Sequence, residues 1–340
     1  MGQDREATHK RLTEIWQDQS VGQLPIPGNK YILFSDLHLG NSGKADDFRD
    51  NEQALVRALQ YYHGQGYSLI LLGDIEEFWQ FDLKDIRETY GESVYPAMCR
   101  FAPDRIVRIF GNHDSEWGAL NDPATNRKSS LNPVAIKLVD AAGNPRVLLV
   151  HGHQGSTESD KNSWMSRFFV RLYKSVEPVF KIDKHSDAPK SQIASEYERI
   201  FHEWAEKNQV VIICGHSHRA IFASLSYADR LLLRVRELQK QIQDIETSKA
   251  DRKKLLKDLE KAWDTFRREE AKGRRVTPAG SEPPSHGWYF NTGCGLYTDG
   301  ITGIEIDNGS VSLVKWNRKP KPGEERVILQ PEGGKVHSIV

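Results

Sequence analysis

Five short apolar runs, each breaking off into a polar loop that contains glycine, constrain this chain more than any other feature. Lys30–Ser35 (KYILFS) runs into DLHLG, Ser68–Leu72 (SLILL) into GDIEEFW, and Arg105–Phe110 (RIVRIF) into GNHD. Val147–Val150 (VLLV) runs into HGHQ and Val210–Cys214 (VVIIC) into GHSH. Continuous apolar runs of this length predict strands covered on both faces. In α/β folds, ligands gather beyond the carboxyl ends of such strands. Gly, Asn and Asp alone would make ordinary turns there. The same loops, however, carry His38, His113, His151, His216 and His218, out of only 12 histidines in the chain.

Brought together, these loops offer Asp36, His38, Asp74, Asn112, His113, His151, His216 and His218. These are carboxylate, imidazole and amide donors with no thiolate. Such a set suits manganese first, with iron, zinc or nickel as alternatives, because carboxylates favour the harder ions. Asp-x-His and His-x-His each place two donors one residue apart, so that they converge on neighbouring metal positions. The donors outnumber what one four-coordinate ion needs. The surplus predicts two divalent ions sharing one carboxylate, the arrangement that drives in-line displacement at phosphorus.

Composition excludes simpler functions. The 47 basic and 47 acidic residues of the 340-residue chain cancel, which argues against nucleic acid as a partner. Three scattered cysteines, Cys99, Cys214 and Cys294, fit neither a disulfide framework nor a thiolate zinc site. A reducing, cytoplasmic setting is expected, since the sequence shows no long apolar span and no apolar leader.

Residues 3–18 predict a short amphipathic helix, ended by LPIPG, so that 1–28 reads as a helix and linker. Asp47–Gly64 reads as a helix, and Asp307-Asn308-Gly309 predicts a hairpin turn between late strands. Residues 318–340 are rich in Lys, Pro, Glu and Gly and are expected to form a flexible tail. Residues 29–223 and 287–317 make the main domain, with a helical segment at 158–208. Between them, 224–286 carries a heptad pattern through Leu231, Val235, Leu238, Ile242 and Ile245, resumed at Leu256, Leu259, Trp263 and Phe266. A straight helix over 229–272 would be about 65 Å long, and the link to Trp288 spans about 50 Å at most. If both ends rejoin one sheet, the insert doubles back as an antiparallel hairpin turning near Ser248–Asp251. Its expected role is packing or homo-oligomer contact. Its 15 basic and 10 acidic residues over 229–275 read as a solvated face.

DLHLG, GDIEE, GNHD, HGH and GHSH resemble, in order, the five blocks of the calcineurin-like metallophosphoesterases, over roughly residues 30–220, and YFNTG resembles that family's late strand. The resemblance implies an α/β/β/α sandwich over a dinuclear metal centre, here with a helical cap and the inserted hairpin. It implies that Asp36, His38 and His218 bind one ion, that Asn112, His151 and His216 bind the other, and that Asp74 bridges them. A metal-bridging hydroxide would attack phosphorus, with His113 as general acid held by Glu77. Asp114 is expected to be a structural acceptor, and His153 either to touch phosphate or to support the ligands.

Phe78 stands where the protein serine/threonine phosphatases of this class carry Arg, which disfavours phosphoproteins. Gly73, Asp74, Glu77 and Trp79 resemble the UDP-2,3-diacylglucosamine pyrophosphatases, which insert a cap between the fourth and fifth motifs. Residues 158–208 lie at that place, with Phe168 and Phe169 as candidate substrate contacts among Arg167, Arg171 and Lys174, a basic amphipathic stretch suited to peripheral contact with anionic lipid. Those enzymes read G-N-R-D, whereas His113 points to a more general phosphatase or phosphodiesterase. The expected substrate is therefore a small phosphomonoester or phosphodiester. A nucleotide-sugar lipid pyrophosphatase, a nuclease and a non-catalytic scaffold are the alternatives.

Overall fold

The computed structural model describes residues 5–115, 134–155, 188–243, 249–271, 287–329 and 337–339. Its strands form where the apolar runs stand. β2 (Lys30–Phe34), β3 (Ser68–Leu72) and β4 (Ile106–Ile109) lie side by side and parallel. The late hairpin of β11 (Gly300–Asp307) and β12 (Ser310–Asn317) joins β2 antiparallel. Asn308 and Gly309 turn that hairpin with φ of 49° and 83°, the left-handed geometry a tight two-residue turn demands. β13 (Arg326–Ile328) completes this sheet in the order β13-β12-β11-β2-β3-β4, with β14 (His337–Ser338) also on β12.

A second sheet runs β1-β5-β6-β7-β10-β8-β9. Its strands are β1 (Gly22–Pro25), β5 (Ala135–Val139), β6 (Pro145–Val150), β7 (Val211–Cys214), β8 (Ala220–Phe222), β9 (Leu225–Ser226) and β10 (Tyr289–Thr292). Here β6 and β7 are parallel, as are β7 and β10. Leu33, Ile70, Leu72, Ile304 and Leu313 of the first sheet meet Ile136, Leu149, Ile213 and Phe290 of the second in one buried cluster. Each such side chain contributes roughly 1.5–3 kcal/mol of burial.

Helices cover both outer faces. On the first sheet, α2 (Glu52–Gly64) presents Ala54, Leu55, Ala58, Leu59 and Tyr62, a single helical stripe, and α3 (Leu83–Tyr90) and α4 (Val94–Cys99) extend the cover. On the second sheet, α1 (Arg5–Gln17) and α5 (Ala188–Asn208) bury Leu12, Ile15, Phe201 and Trp204 against Leu148, Val150 and Ile212. The fold is an α/β/β/α sandwich, as the family resemblance implies.

Two further helices, α6 (Tyr227–Gln243) and α7 (Lys249–Ala271), pack on each other between β9 and β10. Val235, Leu238 and Phe266 are buried on them, as is Asp229. Lys249–Asp251, expected in the turn, are instead the first residues of α7. Downstream of Asn317, where composition predicts fraying, Arg326 anchors β13 by donating to both carboxylate oxygens of Glu305 at 2.6 and 2.5 Å. The expected cap lies outside the described residues up to 187, and with it Phe168 and Phe169. Among the described residues no helix is long and apolar enough to cross a membrane.

Candidate metal centre

Five loops meet beyond the carboxyl ends of β2, β3, β4, β6 and β7, and backbone bonds stitch them together. The Asp36 N–H donates to the Gly73 carbonyl (3.0 Å), the His38 N–H to the Asp74 carbonyl (3.1 Å) and the Gly215 N–H to the His151 carbonyl (2.8 Å). Across the sandwich, the His216 N–H donates to the Asp36 carboxylate at 2.8–3.0 Å. Asp36, His38, Asp74, His216 and His218 all hold positive φ, between 51° and 68°. That backbone costs a non-glycine residue roughly 1–2 kcal/mol. It persists because the loops over-determine it, a pattern typical of working sites. A Cβ at Gly111 would strike the Asp74 carboxylate, and one at Gly215 would strike that of Asp36. The glycines of GNHD and GHSH are thus the room that the two acids occupy.

The side chains form three clusters of close donor atoms: Asp36, His38 and His218; Asp74, His151 and His216; and His38, Glu77 and His113. His218 Nε2 lies 3.2 Å from both Asp36 Oδ1 and His38 Nε2. His151 Nε2 lies 3.1 Å from Asp74 Oδ2, which is also 4.0 Å from His38 Nε2. Asp74 therefore stands between the first two clusters. Both acids are buried, at 0 % and 1 % exposure, as is His151 at 0 %.

Such burial penalises charge, so opposite charges must be supplied nearby. Burial opposes ionisation of Asp74, yet His151 and His113 hold it well below the usual carboxylate range. Burial likewise opposes charge on His151, but Asp74 and Asp36 push it up to about 10. His216 is driven down to about 3 by burial and by the neighbouring His151, against the pull of Asp74.

The geometry fits cations. His151 Nδ1 lies 2.9 Å from the Leu72 carbonyl. The N–H belongs on that nitrogen, so an ion that displaced the Nε2 proton would find the lone pair of that atom beside the Asp74 carboxylate. Asn112 Oδ1 is buried with no hydrogen-bond partner among the described residues, an acceptor of the kind a metal satisfies. His38 Nδ1 donates to Glu77 Oε2 at 2.8 Å, leaving its Nε2 for the Asp36 cluster. No thiolate competes, since burial pushes the Cys214 thiol well up.

Glu77 makes a second contact, to His113 Nδ1, at 2.8–2.9 Å. The carboxylate is held at about 2 against its burial by His113 and His38. Burial works against charge on His113, but Asp74 and Glu77 raise it to about 9. Asp114 accepts from Gly111 N–H (2.6 Å) and Ile75 N–H (2.8 Å). It shapes the loop, and its burial beside Asp74 and Glu76 raises it to about 7. His153 stands 5.5 Å from the His151 ring and 6.5 Å from the His216 ring, outside the three clusters, and is driven down to about 3 by burial and by His151.

Sequence reasoning missed several residues around this edge. Ser217 Oγ donates to the buried Glu198 of α5 at 2.8 Å. Asn291 Nδ2 donates to the Gly215 carbonyl at 2.6 Å. Ser35 hydroxyl contacts both the Asp36 carboxylate and Thr292. The Tyr197 ring lies 5.3 Å from that of His216. A polar residue at the end of an apolar strand, as in YFNTG, was a readable signal; Glu198, one acid on an amphipathic helix, was not.

Residues 30–220 match the family model described as calcineurin-like phosphoesterase. No individual curated protein matches the chain.

Proposed function

The chain belongs to the calcineurin-like phosphoesterase family, and from that premise we propose that it hydrolyses a small phosphomonoester or phosphodiester at a pair of divalent metal ions. Asp36, His38 and His218 would hold one ion, Asn112, His151 and His216 the other, and Asp74 would serve both. Bound there, the ions would lower the pKa of a water and neutralise charge on the phosphoryl oxygens. The carboxylate, imidazole and amide donors favour manganese, with iron or zinc next.

The protein's own part is protonation and orientation. Glu77 accepts the Nδ1–H of His113, which leaves Nε2 as the atom that carries a proton to the departing oxygen. Because the same carboxylate also accepts from His38 Nδ1, one side chain fixes the ring of the general acid and that of a ligand together. The main-chain N–H of His113 donates to Asp74 Oδ1 at 2.8 Å, tying the acid to the ligand shared by both ions. Phe78 is buried and offers no guanidinium to a phosphoprotein.

The observation that carries this reading is the position of Asp74, between the Asp36–His38–His218 cluster and His151. The test is hydrolysis of p-nitrophenyl phosphate and its bis ester by manganese-loaded protein. Asp74→Ala should abolish turnover, and His113→Asn should lower it about 100- to 10,000-fold where the leaving group needs a proton. Activity on these esters that survives Asp74→Ala would remove the proposal.

A further inference from the structure

Three consecutive residues of GDIEEFW grip the loop that carries His113, each from a different side. Glu77 takes Nδ1 of the ring. The Phe78 N–H donates to the His113 carbonyl at 3.3 Å. Trp79 does two things at once. Its indole lies flat on the His113 ring, with centroids 3.8 Å apart and planes 23° from parallel. Its Nε1–H donates to the carbonyl of Asn112, the preceding residue, at 3.0 Å. Among the described residues, the His38 ring also meets the His113 ring, edge-on, 85° from parallel at 4.7 Å.

A hydrogen bond at Nδ1 alone leaves an imidazole free to swing about that bond and to lift Nε2 out of line. A flat plate removes that freedom, because the ring can only slide within its own plane. The bond to Asn112 fixes the plate to the backbone it serves.

We infer that Trp79 is a positioning residue for proton donation: its indole face and its N–H hold His113 Nε2 aimed at the departing oxygen. This rests on the reading of His113 as general acid. Trp79 itself reaches no reacting atom. Its effect must therefore grow with the need of the leaving group for a proton.

The experiment compares p-nitrophenyl phosphate, whose phenolate departs without help, with phenyl phosphate, whose oxygen needs a proton. Wild type, Trp79→Leu, Trp79→Phe and His113→Asn are measured with manganese. For Trp79→Leu, kcat/KM should fall about 10- to 100-fold on phenyl phosphate, within the range general acid catalysis supplies, and far less on p-nitrophenyl phosphate. Trp79→Phe keeps a plate but loses the N–H, and should recover most of the loss. In metal-free protein, the His113 ring protons should be shifted upfield by the indole ring current, and the shift should vanish in Trp79→Leu.

Equal losses on both substrates for Trp79→Leu, alongside a selective loss for His113→Asn, would overturn the role of Trp79 and leave the acid standing. Equal losses for His113→Asn would overturn the acid, and the role of Trp79 with it. A His113 spectrum indifferent to Trp79 would show that the plate is not engaged.

Discussion

At the scale of single residues, the centre is a set of buried charges that only neighbours make tolerable. Asp36 and Asp74 are held ionised against their burial by the imidazoles that face them, and His216 is driven down by burial and by His151. Most of this set was legible in the sequence. The ligands sit on fixed motifs at strand ends, and a strand end has only one place to deliver a side chain. The supporting residues were less legible. Trp79 was visible as a letter of a motif, but stacking on His113 depends on a backbone bond to Asn112 that no spacing reveals. Glu198 shows the same limit. It is buried in α5 and pushed up to about 7 by that burial, although Arg219 lies 3.5 Å away. Its folded-state pKa is raised above the ordinary 4.5, so the native state holds the proton longer than the unfolded chain. Stability conferred by this residue is therefore complete below pH 4.5 and is lost as pH rises towards 7. Glu198→Gln, which mimics the protonated acid, should match wild type near pH 4.5 and exceed it by ~1–3 kcal/mol at pH 8. Thermal unfolding of both proteins across that range checks it, and a less stable Gln variant at pH 8 would mean that Arg219 holds the carboxylate ionised.

At the scale of elements, α1 has the most consequence for the site. Read from sequence it is one more amphipathic helix; in the structure it braces the HGHQG loop. Thr8 is fully buried, and a Cβ at Gly155, just past His153, would meet Thr8 backbone and side chain. Trp204 Nε1–H donates to Thr13 Oγ1 at 3.0 Å, and Lys137 Nζ donates to the Asp18 carbonyl at 2.8 Å. Leu12→Ala should cost about 2–4 kcal/mol by opening a cavity under α5. It should also weaken manganese binding, because the loop that carries His151 loses its support. Denaturant unfolding and titration calorimetry measure the two effects, and a stable variant with unchanged affinity would show α1 to be dispensable. The strands that were not foreseen, β1 and β5, have the same cause in common. β1 contains Leu24 and Pro25 within a segment that proline and glycine mark as a break, yet an edge strand tolerates proline. Its pairing with β5 is parallel and joins residues more than 100 positions apart. Long-range pairing of this kind leaves no local signature.

At the scale of the whole molecule, the α6–α7 pair is inserted between β9 and β10 of the second sheet. Ser224 and Tyr289, on either side of the insert, are tied by two bonds, the Ser224 N–H to the Tyr289 carbonyl (2.6 Å) and the Tyr289 N–H to Ser224 Oγ (3.2 Å). The gap that the insert bridges is therefore small. Replacing 227–286 with a short glycine-rich linker should preserve fold and metal affinity, because closing so small a gap is cheap in entropy. Circular dichroism and a retained cooperative melt would show it; an unfolded product would mean that the hairpin holds β8, β9 and β10 in place. The central claim is simpler: five loops from two sheets build one site for two ions, with Asp74 serving both. Metal analysis of protein equilibrated with manganese and then freed of excess ion tests it most directly. The account predicts two ions per chain, with Asp74→Asn losing both at the same concentration. A ceiling of one ion, or two ions that remain after Asp74→Asn, would contradict it.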